Sequence, residues 1–543
     1  MKKKVIIALS AIGVIAIGAA LYVYMTFFGG TDFSKNVPKN AVFVMKVNMV
    51  GMGKKVNMKE AGESKVFRKE VMGNLKSSQK EMIETLMANP LKSGIQLGSD
   101  PTLFFYNHSK SESEPVLGFI FGISDKKNFN NFLEAMAKDV TIKDPDQDGF
   151  FKAILNNNEN AVLYFNDKVG LILADVDRKG ITLKRVRDEI IGLESSNSIL
   201  TNEEYATVNK QTNDMMVYFN GTETIKALEL NKNDPSDKLK NSIKSYPYGM
   251  TLNFNEDAIA VKILVSKGSD ANPAAVYKDG GFSDAELKNI DPKGNPLAYF
   301  TANMDFKKLL ELVNDQAAVY QGSSNLFGEI DNLAAQLNIP KDDLLGMLDG
   351  KMSLSFSGIK SGTTADSSMV YQPSVPLING WAHLGKKEAA TKMLDYFVTT
   401  GSLVNKDGIY MENTPFKAPS LFVAIKGNDL FLSTQQENIQ NKIQGKDWEA
   451  LKEDYGKKEV VTKSATLYAD LRYSSYESMI KSNMGANQLL DIEKFKTILS
   501  SFKSISITGN KNEAEMVIQF TEKKTNSLQR IIELLQEAYR LTS

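Results

Sequence analysis

The chain has no cysteine. That excludes thiol nucleophiles, disulfide staples and zinc–thiolate sites, and with them a lipid-modified N-terminal cysteine. Histidine is almost as scarce: only His108 and His383 occur, so a multi-histidine metal centre would need both. Neither sign of charge is in excess. Sixty-five Lys and Arg stand against sixty-five Asp and Glu, and such a balance lacks the electrostatic footprint of a nucleic-acid binder. Several catalytic signatures are missing as well. There is no phosphate loop or dinucleotide fingerprint. No Gly-x-Ser-x-Gly elbow or Ser-x-x-Lys motif occurs in a context that would support it.

What is present is a globular composition. The chain has 543 residues, 42% apolar and 24% charged, which is folded rather than disordered and too long for one ordinary core. Only one hydrophobic run is long. Lys2-Lys3-Lys4 precedes an apolar stretch from Val5 to Phe28, enough at about 1.5 Å per helical residue to cross a hydrocarbon core of roughly 30 Å. The lysines should stay cytoplasmic, which sends the rest of the chain across the membrane. Gly18, Ala19 and Ala20 offer the alternative of a cleaved signal peptide. Length favours an uncleaved signal-anchor over residues 1–30, a single-pass helix with the bulk of the chain on the far side of the membrane.

After the anchor the sequence repeats itself. Asn40-Ala41-Val42-Phe43-Val44-Met45-Lys46-Val47-Asn48-Met49 has an echo nearly half a chain later in Asn295 to Met304. Val116–Ile123, a strand leading into a helix with Phe129, Phe132, Leu133 and Met136, corresponds to Leu377–Leu384 and a helix with Ala390, Met393, Leu394 and Phe397. A hairpin turning at Asn166-Asp167-Lys168 corresponds to one turning at Gly427-Asn428-Asp429. Met216–Asn220 corresponds to Thr466–Asp470. Each half then ends in a helical stretch and a last hairpin, residues 249–265 and 504–520. Five elements in one order predict an α+β fold: two tandem repeats of one module with mainly antiparallel sheets, residues 31–290 and 291–543. In the last hairpin Ile505, Ile507, Met516, Ile518 and Phe520 alternate with polar residues, which predicts a sheet with its apolar face inward and its polar face solvated. The amphipathic stretch Leu528 to Tyr539 is expected to pack as a C-terminal helix on the second module. Residues 361–376 read as a polar loop.

One local motif suggests a cation. In Asp144-Pro145-Asp146-Gln147-Asp148-Gly149, carboxylates at alternate positions followed by Gly resemble the start of a calcium loop, making Asp144, Asp146 and Asp148 candidate calcium ligands. The twelfth position, where a bidentate Glu belongs, is Leu155. The second half keeps only Asn405-Lys406-Asp407-Gly408, and the shared Asp-Gly is a turn signal. A structural turn is therefore the competing reading. His108 and His383 show no orienting carboxylate or nucleophile in sequence. The acidic pairs Glu203-Glu204 and Asp342-Asp343 lie at helix starts, where negative charge suits the helix dipole. The Lys-rich stretch of residues 238–244 reads as a solvated helix face.

The Lys-rich anchor, the Val37-Pro38-Lys39-Asn40-Ala41 lead into the first strand and its echo at Asp291 to Met304 resemble a family of uncharacterised, membrane-anchored envelope proteins of Bacteroidota, known as a domain of unknown function. The resemblance implies location and modular build, and brings no catalytic or binding residue. The expected function is that of a non-enzymatic, membrane-anchored periplasmic protein that binds or scaffolds an envelope protein or polymer. The alternatives are an envelope hydrolase using carboxylates, or a carrier of an apolar ligand in a groove between the modules.

Overall fold

The computed structural model describes residues 32–56, 90–96, 98–109, 113–136, 140–155, 160–178, 180–211, 213–230, 236–245, 247–265, 273–320, 326–360, 374–414, 421–483, 492, 495–522 and 525–542. Among them no helix is long and apolar enough to cross a membrane. The expected anchor lies outside the described residues, as does most of the polar loop of residues 361–376. The chain divides into two compact units, Met1–Ser266 with Glu522–Ser543, and Lys267–Thr521. Both are α+β with antiparallel sheets.

The strands of the first unit are β1 (Ala41–Val47), β2 (Thr102–Asn107), β3 (Pro115–Gly122), β4 (Val140–Lys143), β5 (Phe151–Leu155), β6 (Ala161–Phe165), β7 (Val169–Asp175), β8 (Met215–Phe219), β9 (Pro247–Phe254) and β10 (Ala258–Val265). They lie in the order β4-β5-β6-β7-β3-β2-β1-β8-β9-β10, every pair antiparallel. The period of two decides which side chains are enclosed. In β2, Thr102, Phe104 and Tyr106 are buried while Leu103 and Phe105 are half-buried. Phe104, Val44, Ile120, Leu171, Leu173 and Tyr218 share one core with Val186 and Ile190 of the helix Leu183–Ile191. Gly118 makes room for it: a Cβ there would stand 2.2 Å from the Phe104 ring. The hairpin expected at Asn166 forms, its side-chain oxygen accepting from the amides of Lys168 and Val169 at 2.8 and 2.9 Å, an Asx turn.

In the second unit the strands are β11 (Ala298–Asn303), β12 (Leu348–Lys360), β13 (Val375–Leu384), β14 (Leu403–Lys406), β15 (Ile409–Glu412), β16 (Phe422–Lys426), β17 (Asp429–Ser433), β18 (Ala465–Asp470), β19 (Phe502–Gly509) and β20 (Glu513–Phe520). Their order is β14-β15-β16-β17-β13-β12-β11-β18-β19-β20. Trp381, Tyr299, Tyr468, Phe431 and Trp448 fill its main core, where the Tyr299 and Tyr468 rings stack at 5.2 Å. The Asp-Gly turn between β14 and β15 is present: Asp407 and Gly408 take φ of 54° and 82°, the left-handed pair that a tight hairpin requires.

The helix Ser527–Thr542 does not pack where the sequence suggests. Leu528 and Ile531 lie against Leu252, Phe254 and Ile259 of the first unit. Asn526 donates to the Phe254 carbonyl at 2.9 Å, and the Ser527 amide to Asn255 at 2.8 Å. An amphipathic stripe specifies that a helix has an apolar face, but not which surface that face will meet.

Candidate functional site

Strands β11, β12, β18 and β19 enclose their polar side chains, and in β19, part of the last hairpin, this reverses the expected polarity. The enclosed face carries hydroxyls: Thr301, Ser353, Ser355, Thr466, Ser504 and Thr508 are all buried. The other face is apolar: it is covered at one end, where Ala302 and Ala465 are buried and Phe300, Phe306 and Leu309 pack against them, and open beyond it. Leu354 is 51% exposed, Leu467 48% and Ile507 41%. These side chains form one row, because Phe300 of β11 stands opposite both Leu354 of β12 and Leu467 of β18, and Leu467 stands opposite Ile507 of β19. Three inter-strand spacings make the row about 14 Å long. On the β13 side Leu354 faces Gly380, which has no side chain to cover it.

This arrangement costs free energy twice. Among the described residues, the Ser355 and Thr466 hydroxyl oxygens are buried with no hydrogen-bond partner, a loss on the order of 1–3 kcal/mol for each group. Leaving three large aliphatic side chains half in water forfeits on the order of 1 kcal/mol apiece. Contiguous exposed apolar surface of this kind marks an interaction site far more often than does a single exposed leucine. The sequence held the signal, Ser353-Leu354-Ser355 and Ser504-Ile505-Ser506-Ile507-Thr508, but alternation by itself does not tell which face is inward.

Asp146 and Asp148, two of the three candidate calcium ligands, come together in the structure. Both turn onto Arg187, whose side chain is 1% exposed: Nη1 donates to Asp146 at 2.5 Å and Nη2 to Asp148 at 3.1 Å. Asp188 also accepts from the guanidinium, which lies over the Phe150 ring at 4.6 Å and the Tyr164 ring at 5.2 Å. Asp146 further accepts from the amides of Asp148 and Phe150 at 3.1 Å each, so it closes the Asp-Gly turn. Asp144 is exposed and joins neither carboxylate on the guanidinium. Among the described residues no group of three or more His, Asp or Glu side chains could hold a metal ion.

The histidines lie in different units and each meets carboxylates. His108 Nδ1 is 3.0 Å from Glu114 and Nε2 is 2.8 Å from Glu189, while His383 Nδ1 is 3.0 Å from Asp429. Orienting carboxylates invisible in the sequence are therefore present. Glu203 and Glu204 stand in the first turn of the helix Glu203–Asn209, and Asp342 and Asp343 in that of Lys341–Leu345, as the dipole argument expects.

Two clusters escaped the sequence altogether, because their members are distant along the chain. At the end of the first sheet Asp32 forms a bridge with Asp100, and Lys46 reaches Asp32 at 3.3 Å and Asn209 at 2.6 Å. Burial, reinforced by the Asp32 charge, pushes the Asp100 carboxyl up to about 6 against the pull of Lys46. Burial acts on Asp32 too, but the Ser34 hydroxyl and amide together with Lys46 outweigh it and hold that carboxyl below its ordinary value. In the second unit Lys442 is buried over the Phe431 and Trp448 rings at 5.0 and 4.7 Å and donates to Asn289 at 2.7 Å. Burial lowers its ammonium to about 8.

The fold is thus that of an α+β protein of two sheet-based units whose most unusual surface is an open apolar sheet face. The chain belongs to the family described as "Domain of unknown function (DUF4836)", which matches residues 33–528. No curated protein matches it. Two solved structures of a protein called TP0453 are faintly similar. Crystal form IV has 10% identity and a TM-score of 0.24 over 42% of this chain and 80% of that one; crystal form I has 7% and 0.19 over 75% and 92%. A likeness at that level fixes nothing about this chain.

Proposed function

We propose that this is a membrane-anchored binding protein of the bacterial cell envelope, held by residues 5–28 with its bulk periplasmic, as in the Bacteroidota proteins it resembles. Its recognition element is the open face of the second sheet, and the ligand is an acyl chain of an envelope lipid. The observation that supports this is the Leu354–Phe300–Leu467–Ile507 row. The face offers neither side-chain donors nor acceptors along that row, and the backbone groups are committed to the ladders. A protein partner would ordinarily make about one hydrogen bond per 100–200 Å² of interface; a hydrocarbon chain asks for none. Strand order also supports a duplicated module, since counting from each unit's own first strand gives the same succession twice. A duplicated module can present two similar surfaces to one partner.

The test is binding of a fluorescent fatty acid to delipidated protein. Leu354→Ser with Leu467→Ser should weaken binding at least tenfold while leaving the circular-dichroism spectrum unchanged. Equal binding by the double variant sinks the assignment. A second reading, hydrolysis by carboxylates, is favoured by Asp32 and Asp100, whose proton affinities are driven apart as in an acid–base pair. Turnover of an envelope glycan that vanishes in Asp100→Asn would establish it in place of the first.

A further inference from the structure

The first sheet carries an apolar row in the same place as the second. Counted from each unit's own first strand, β2, β1, β8 and β9 stand where β12, β11, β18 and β19 stand. Met45 of β1 lies opposite both Leu103 of β2 and Val217 of β8, and Val217 lies opposite Met250 of β9. Phe300 pairs in the same way with Leu354 and Leu467, and Leu467 with Ile507. The chain neighbours Val44, Phe104 and Tyr218 belong to the core, so alternation turns the row to the other face. Leu103, Met45 and Val217 are half-buried there, and Met250 is 40% exposed. Phe119 opposite Leu103 and Ile263 opposite Met250 continue the row at its two ends. Five inter-strand spacings make it about 24 Å long.

The same face shows what it takes to seat a polypeptide. Leu528 and Ile531 of the C-terminal helix rest on Leu252, Phe254 and Ile259, the next side chains along that face of β9 and β10. Polar bonds hold the helix there as well. Asn526 donates to the Phe254 carbonyl and the Ser527 amide to the Asn255 carbonyl, both at the β9–β10 turn. Along Leu103–Met45–Val217–Met250 the sheet offers no such anchor, because each of the four strands is paired on both sides. The side chains have no donor and, in the methionine sulfurs, only weak acceptors. A polypeptide would find nothing there to fix its polar groups, whereas hydrocarbon has none to fix. Methionine also adapts its flexible thioether to an irregular occupant. We propose that this row is a second binding site for an acyl chain of an envelope lipid, so that one protein molecule takes two. The class of ligand rests on the acyl-chain reading of the second sheet given above; the site rests on its own residues.

The full chain, delipidated, is titrated with the fluorescent fatty acid and the stoichiometry is read. Two probe molecules per chain are expected. Val217→Ser with Met250→Ser should remove one of them and Leu354→Ser with Leu467→Ser the other, each with an unchanged circular-dichroism spectrum. Should the Val217 variant fail to fold, Met250→Asp alone, at an exposed position, should weaken one site at least tenfold. A stoichiometry that neither first-unit variant alters overturns the second site, and a single probe lost in Leu354→Ser with Leu467→Ser leaves the reading of the second sheet standing. A single probe lost only in the first-unit variants does the reverse: it keeps this site and overturns that reading. Absence of binding to the unaltered protein removes both.

Discussion

Arg187 donates to Asp146 at 2.5 Å from a side chain that is almost wholly enclosed. The guanidinium holds the β4–β5 turn against the helix Leu183–Ile191. Replacing Arg187 with Met should cost about 2–4 kcal/mol in chemical denaturation, because the carboxylates lose their counter-ion and the rings of Phe150 and Tyr164 lose their cation. The loss stays below that of a fully buried pair, since Asp148 and Asp188 are about half exposed. A change under 0.5 kcal/mol would mean that the cluster is ornamental.

Calcium should have no effect on stability. With Asp146 and Asp148 engaged by Arg187, a cation would have to displace a buried guanidinium. Adding millimolar calcium to protein stripped with chelator should leave the melting temperature unchanged, and a rise would restore the metal assignment to Asp144, Asp146 and Asp148.

Asp100 and Asp32 should act in separate pH ranges. The folded Asp100 carboxyl sits near 6, above its ordinary 3.8, so the folded state holds a proton that the unfolded chain has released. Stability from this group is complete below about pH 3.8 and is lost as pH rises through 6. Asp32 is lowered, and its contribution is lost only as pH falls below the ordinary carboxylate value. Asp100→Asn should therefore stabilise the protein at pH 7.5 by roughly 1–3 kcal/mol and flatten the slope between pH 4 and 6. Denaturation across that range decides it.

Lys442 predicts a slope of the opposite sign at alkaline pH. Its ammonium titrates near 8 when folded and 10.5 when free, so the unfolded chain binds the extra proton between those values and stability should rise there. Above pH 10 the buried tyrosines, Tyr468 among them, are raised and work against further gain. Lys442→Met should abolish the rise between pH 8 and 10.

Leu467 and Tyr468 are chain neighbours on opposite faces of β18, and should respond oppositely to truncation. Tyr468 is buried and stacked on Tyr299, so Tyr468→Ala should cost about 3–5 kcal/mol. Leu467→Thr puts a β-branched residue, suited to a strand, at an open position and should stay within about 0.5 kcal/mol. A large loss at Leu467 would show that the face is structural and argue against its use for a ligand.

Local sequence specifies the elements and their kind. Apolar runs of strand length, the turns at Asn166 and Asp407 and the helix starts at Glu203 and Asp342 are local, set by backbone preference and by side chains bonding to their own neighbourhood. It also excluded thiol and zinc–thiolate chemistry through composition alone. What it could not determine was anything that depends on two distant segments meeting. Alternation in β12 and β19 defined two faces without saying which was enclosed, because that depends on what packs against the sheet. The amphipathic C-terminal helix could not name its partner, which Asn526 and the β9–β10 hairpin selected. Asp146 and Asp148, candidate cation ligands by their spacing, meet Arg187 only through the tertiary structure. Asp32, Lys46 and Asp100 became one cluster only when the strands aligned. Charge and burial act through space, and the folded chain alone decides which groups share it.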